Sequence, residues 1–152
     1  MDKNCWENED VFGELQWTFQ RKKRFLKDLQ SVKNHEDLYN YIRPCYDDII
    51  DLYEVAYVVY FNSSLKILGR YKHSTGSSSH SIVDNKDIIA RALTLQAKAL
   101  AIIHNHPSGS LKPSDADLNM TRSLRKACEV MGLNLIDSMI ITEDNYKSIL
   151  DL

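Results

Sequence analysis

Residues 99 to 117 read ALAIIHNHPSGSLKPSDAD, and three changes of character along them decide the fold. The opening run is continuously apolar up to His104 and has strand length, as expected of a strand buried on both faces of an α/β sheet. From Pro107 to Pro113 the chain is rich in proline, glycine and serine, which marks a loop. Ser114 and Asp117 then make an S-x-x-D helix start, and a helix is expected from Ser114 to about Met131, ended by Gly132. A buried strand followed by a turn and a helix is the building unit of α/β sheets.

Working outward, Leu133 to Thr142 reads as the next strand, and Tyr146 to Leu150 as a short last one. Upstream, Asp84 or Asn85 caps a helix reaching about Lys98, with Ile88, Ile89, Ala92 and Leu93 on its inner face. Glu54 to Phe61, EVAYVVYF, is rich in β-branched and aromatic residues and reads as a central strand. Asn62-Ser63-Ser64 turns it into a second strand, Leu65 to Tyr71. The segment from Lys72 to His80, which carries His73 and His80, reads as a solvated loop, with a short strand suggested at His80 to Val83. Asn34 caps an earlier helix in which Leu38, Tyr41 and Ile42 share a face and which Pro44 interrupts. Before it, the first ten residues read as disordered and Leu15 to Phe19 alternates like an edge strand. The sum is an α/β fold, a mixed sheet flanked by helices, over residues 34 to 152, preceded by an extension over residues 1 to 33.

Composition agrees with one globular domain. The chain has 152 residues, 43% hydrophobic and 26% charged, with a net charge of −2. No apolar run approaches the roughly 20 residues that span a bilayer. The first ten residues lack an apolar stretch of signal-peptide type, so a cytoplasmic location is expected. Cys5, Cys45 and Cys128 are far apart and form no C-x-x-C pair, which argues against a disulfide framework or a thiolate metal site. One basic cluster, Arg21-Lys22-Lys23-Arg24 with Lys27, could touch phosphates, although a solvated basic face is the commoner use of such a run.

The chemistry gathers at the end of the apolar run. His104 and His106 point to the same side of an extended backbone, because side chains alternate with period two. Two imidazole nitrogens can therefore meet one metal ion. A hydrolytic zinc site takes three protein ligands and leaves a position open for water. Asp117, in the first turn of the next helix, is the choice for the third ligand, with Asp115 as its rival. The same residues also admit a purely structural account, a Ser114–Asp117 capping box beside a hydrogen-bonded histidine pair.

The array H-x-H-P, with Ser and Asp at the matching distance, resembles the JAMM motif of the JAB/MPN metalloprotease family. More narrowly, His104 to Gly109, Pro113, Ser114 and Asp117 are similar to the signature of RadC-like proteins. The likeness extends to Arg43-Pro44, the strand opening at Glu54, Asn62, Thr75-Gly76, and Leu135-Ile136-Asp137 ahead of Ile140-Ile141, and so covers roughly residues 34 to 150. It implies a JAB/MPN-like (cytidine-deaminase-like) fold and a Zn²⁺ ion held by His104, His106 and Asp117. It also implies that Glu54 takes a proton from a zinc-activated water and that Ser114 steadies an oxyanion. The implied activity is hydrolysis of a peptide or isopeptide bond in a protein or peptide substrate.

The chain departs from the family in showing no helix-hairpin-helix region and in a more polar segment from Lys72 to His80. Two other expectations stand beside hydrolysis. One is a DNA-repair-associated factor that binds or processes nucleic acid through the basic cluster. The other is a non-catalytic interaction module, against which the intact set of His104, His106, Asp117 and Glu54 argues.

Overall fold

A computed structural model of the chain describes residues 29–75 and 83–150. The expectations for the first ten residues, for Leu15 to Phe19, for the basic cluster and for residues 80 to 82 lie outside them. The chain runs through α1 (His35–Ile42), a 3-10 turn (Arg43–Tyr46), β1 (Val55–Phe61), β2 (Ile67–Thr75), α2 (Asn85–Thr94), β3 (Ala99–Asn105), α3 (Asp115–Val130), β4 (Asn134–Ile141) and β5 (Tyr146–Ser148). The strands form one mixed sheet in the order β2-β1-β3-β4-β5. Only β3 and β4 are parallel, joined by α3; the other neighbours are antiparallel.

The alternation of β3 divides the core. Ala99, Ala101 and Ile103 pack with Leu38 and Ile42 of α1 and with Tyr46, while Leu100 and Ile102 pack with Ile88 and Ala92 of α2 and Leu124 and Cys128 of α3. One helix thus covers one face of the sheet, and two cover the other. Every residue of β3 is buried, as its unbroken apolar run requires. Burying Leu100, Ile102 and Ile103 contributes about 1.5–3 kcal/mol each. That is enough to carry one buried amide at Asn105 in the same strand, provided the amide keeps its hydrogen bonds.

Helix ends follow the local chemistry. Asn34 accepts from the Asp37 amide at 2.8 Å, and Asp84 accepts from the Lys86 amide at 2.9 Å. Ser114 and Asp117 form a full capping box. Gly132, at φ 67°, takes the left-handed position after α3 that a side chain would resist. Pro44 ends α1 by turning it into the 3-10 segment.

Several expectations are corrected. The second helix stops at Thr94 rather than near Lys98, because Gln96 adopts φ 52° and Lys98 donates to the Phe61 carbonyl instead. Leu93 is 47% exposed, not inward: Ile88, Ile89 and Ala92 fill the inner face and leave it at the rim. The second strand begins later and runs further than Leu65 to Tyr71, since Leu65 lies in the turn at φ 53° and pairing with β1 continues to Thr75. His73 therefore sits in a strand, not a solvated loop. Its side chain is buried, with Nε2 accepting from the Asp84 amide at 2.8 Å and Nδ1 3.4 Å from Asp87. Val83 lies outside any strand.

One irregularity in β4 redirects two of its buried polar side chains. Leu100 pairs with Leu135 but Ala101 pairs with Asp137, so Ile136 is an extra residue. The bulge turns Asp137 toward α1, where its carboxylate meets His35 Nδ1 at 2.6 Å and accepts from Ser148 Oγ at 2.6 Å. It turns Ser138 toward α3, where the hydroxyls of Thr121 and Ser138 lie 2.7 Å apart. No helix among the described residues is long and apolar enough to cross a membrane.

Candidate metal centre

Three elements meet at the carboxyl end of β3. His104 and His106 leave it on one side, the amino end of α3 brings Asp117, and the antiparallel pairing Ala56↔His104 brings the residue ahead of β1, Glu54. One ligand atom from each of Glu54, His104, His106 and Asp117 lies within 4.8 Å of all the others. Such convergence at a strand end is usual for sites in α/β proteins. Of the two aspartates that spacing left open, Asp117 is in this group and Asp115 is not.

The separations among the inner three are informative. His104 Nε2 is 3.1 Å from His106 Nε2 and 3.1 Å from Asp117 Oδ1, and His106 Nε2 is 3.5 Å from Asp117 Oδ2. Ligand atoms about 2.0–2.2 Å from a tetrahedral zinc ion stand roughly 3.3–3.6 Å from one another. The donor set and its spacing thus fit a single small divalent cation.

The surrounding groups orient these atoms. His106 Nδ1 meets the Ser110 carbonyl at 2.8 Å, so in the neutral ring Nδ1 carries the proton and Nε2 keeps its lone pair for the cluster. Asp117 Oδ2 accepts from both the amide and the hydroxyl of Ser114, each at 2.7 Å. Oδ1 faces His104. The Nδ1 atom of His104 is buried and has no hydrogen-bond partner among the described residues.

Electrostatics act in the same direction. Burial works against ionising Asp117, yet hydrogen bonds from His104 and His106, the nearby His104 ring and the Ser114 hydroxyl hold its carboxyl well below the usual carboxylate range. The hydrogen bond to Asp117 raises the pKa of His106 above its ordinary 6.5, against burial, and the Ser110 carbonyl adds to the rise. Ser114, as placed, caps α3 and donates to Asp117.

Sequence reasoning passed over Asn105 and treated it as a spacer. The side chain is fully buried on the face opposite the histidines and makes three hydrogen bonds to the segment carrying Glu54. A signal was available: alternation sends a polar residue between two outward histidines into the core, where it must find partners. Tyr46 was likewise unremarked. Its hydroxyl donates within reach of the carbonyls of Val55 at 3.2 Å and Ile103 at 2.9 Å, clamping β1 to β3 just behind the site.

The sequence profile of the RadC-like JAB domain matches residues 32–152. A UPF0758 protein of Flavobacterium johnsoniae is 32% identical over 132 residues, covering 87% of this chain and 56% of its own length. Another, from Streptococcus sanguinis, is 39% identical over 95 residues, covering 62% of this chain and 42% of its own length. A third, from Aquifex aeolicus, is 33% identical over 118 residues, covering 78% and 50%. The chain thus spans about half the length of the curated relatives it matches.

Proposed function

The chain belongs to the RadC-like JAB domain family, and from that premise we propose that it is a zinc-dependent hydrolase cleaving a peptide or isopeptide bond in a protein or peptide substrate. The observation that carries the reading is the spacing of His104, His106 and Asp117, which suits a tetrahedral ion, with the Glu54 carboxylate beside them.

His104, His106 and Asp117 would hold the zinc, through Nε2, Nε2 and a carboxylate oxygen. When bound, the ion supplies a Lewis acid and brings the pKa of water to about 7. Glu54 takes the proton of the attacking water and delivers it to the leaving amine, the work of a general base that then acts as a general acid. Ser114 turns its hydroxyl from Asp117 toward the oxyanion of the substrate as it forms. The Ser110 carbonyl keeps His106 in its metal-ready tautomer throughout. Binding of nucleic acid rests on the basic cluster from Arg21 to Lys27, outside the described residues, and nothing in the site favours it over amide hydrolysis.

The test is a screen of the zinc-loaded chain against unstructured peptides and isopeptide-linked conjugates, beside Glu54→Gln. The variant is expected to keep its metal and to lose turnover by about 10²–10⁴-fold, the usual contribution of a positioned proton-transfer group. Full activity in Glu54→Gln contradicts the assignment.

A further inference from the structure

We propose that Asn105 is a positioning residue that sets the place of Glu54, and so couples the metal-ligating strand to its proton-transfer partner. The inference rests on the hydrolase reading above and deepens it.

The geometry is specific. Asn105 Oδ1 accepts from the Val55 amide at 2.7 Å, and Nδ2 donates to the carbonyls of Tyr53 and Ile50, each at 2.9 Å. The Tyr53 carbonyl belongs to the peptide group before Glu54, and the Val55 amide to the one after it. One side-chain amide therefore grips both peptide groups flanking the Glu54 Cα. The amide cannot be reversed, because a backbone N–H must meet oxygen and a carbonyl must meet NH₂.

Glu54 depends on that grip. Among the described residues its carboxylate makes no hydrogen bond or ion pair; it stands within 4.8 Å of the ligand atoms of His104, His106 and Asp117 and feels the His106 ring only through its charge. Its place is set by its backbone. Asn105 lies between His104 and His106, so any shift of the strand end moves the ligands and the anchor of Glu54 together. A core position serving packing alone would be filled at lower cost by an apolar side chain, since an amide here gains only when all its bonds are made. All three are made.

Cobalt offers a ruler that does not need a substrate. In Glu54→Cys, a thiolate at position 54 that reaches Co²⁺ in the histidine site adds a sulfur-to-cobalt charge-transfer band to the visible ligand-field bands. The expected result is that this band is present in Glu54→Cys and lost in Glu54→Cys/Asn105→Asp. The ligand-field bands and the circular dichroism spectrum are expected to persist. Asn105→Asp is nearly isosteric and keeps the acceptor for Val55, but it loses both donors.

An equal band in the two variants overturns the proposal, as does bound cobalt with no thiolate band in Glu54→Cys itself. Failure of the unmodified chain to bind Co²⁺ overturns the metal reading and the positioning role with it. If Asn105→Asp does not fold, Asn105→Ser, which is smaller and uncharged, carries the same comparison. Loss of the fold in both makes Asn105 a purely structural residue and overturns the proposal.

Discussion

The Ser110 carbonyl stands 2.8 Å from His106 Nδ1, four residues along the chain, and so decides which nitrogen of that imidazole is available to a metal. The loop between them carries Gly109 at φ 75°, a left-handed position that bends the chain back over the ring. The same ring leans on Asp117, whose hydrogen bond is the main reason that its pKa is raised.

This contact gives the site a pH dependence, with opposite signs for its two states. In the metal-free chain the folded pKa of His106 lies above the unfolded value of about 6.5. The stability it contributes is complete below that unfolded value and is lost as pH rises through the folded one. Asp117, whose folded pKa is depressed, contributes stability above its unfolded value of about 3.9 that is lost only as pH falls through the folded one. Metal binding requires the neutral ring, so affinity for zinc rises with pH through the window where His106 deprotonates. Thermal melts of chelated and zinc-loaded protein over a pH series check this. Equal pH dependence in the two states contradicts it.

The buried hydroxyl pair between α3 and β4 gives a second prediction. Thr121→Val leaves the Ser138 hydroxyl buried without its 2.7 Å partner and is expected to cost about 1–3 kcal/mol. Adding Ser138→Ala removes the orphaned group and is expected to restore part of that loss. Urea midpoints of the two variants decide; additive losses contradict the pairing.

A third concerns the thiols. Burial pushes Cys128 up to about 11, and the side chain packs under α3 against the sheet. Native protein at neutral pH is expected to leave Cys128 unmodified by a thiol reagent, and unfolded protein to expose it fully. Peptide mapping of labelled protein reads the outcome, and rapid native labelling at Cys128 contradicts the packing.

Much of the fold was legible because its strands and helices carry strong local signals. The apolar run from Ala99 to His104, the caps at Asn34, Asp84 and Ser114, and the stop at Gly132 all act within a few residues. Elements set by pairing across the sheet were harder to read. The extension of β2 to Thr75, and with it the burial of His73, depends on β1 lying alongside, which no local pattern states. The bulge at Ile136 has no glycine or proline to announce it, and it inverts which side of β4 faces α3. The candidate site divides in the same way. His104 and His106 could be read from period-two alternation, and a helix start favoured Asp117 without excluding Asp115, whereas Glu54 entered through the family resemblance, because only antiparallel register brings it across from the histidines. Asn105 was missed for the same reason: its three partners lie 50 to 55 residues away in sequence.

Whether these residues bind one metal ion is read by elemental mass spectrometry of the untagged chain beside Asp117→Ala and Asp115→Ala. About one zinc per chain is expected in the unmodified protein and in Asp115→Ala, with its loss in Asp117→Ala. No zinc in the unmodified protein, even after reconstitution, would contradict it and leave these residues to capping and packing.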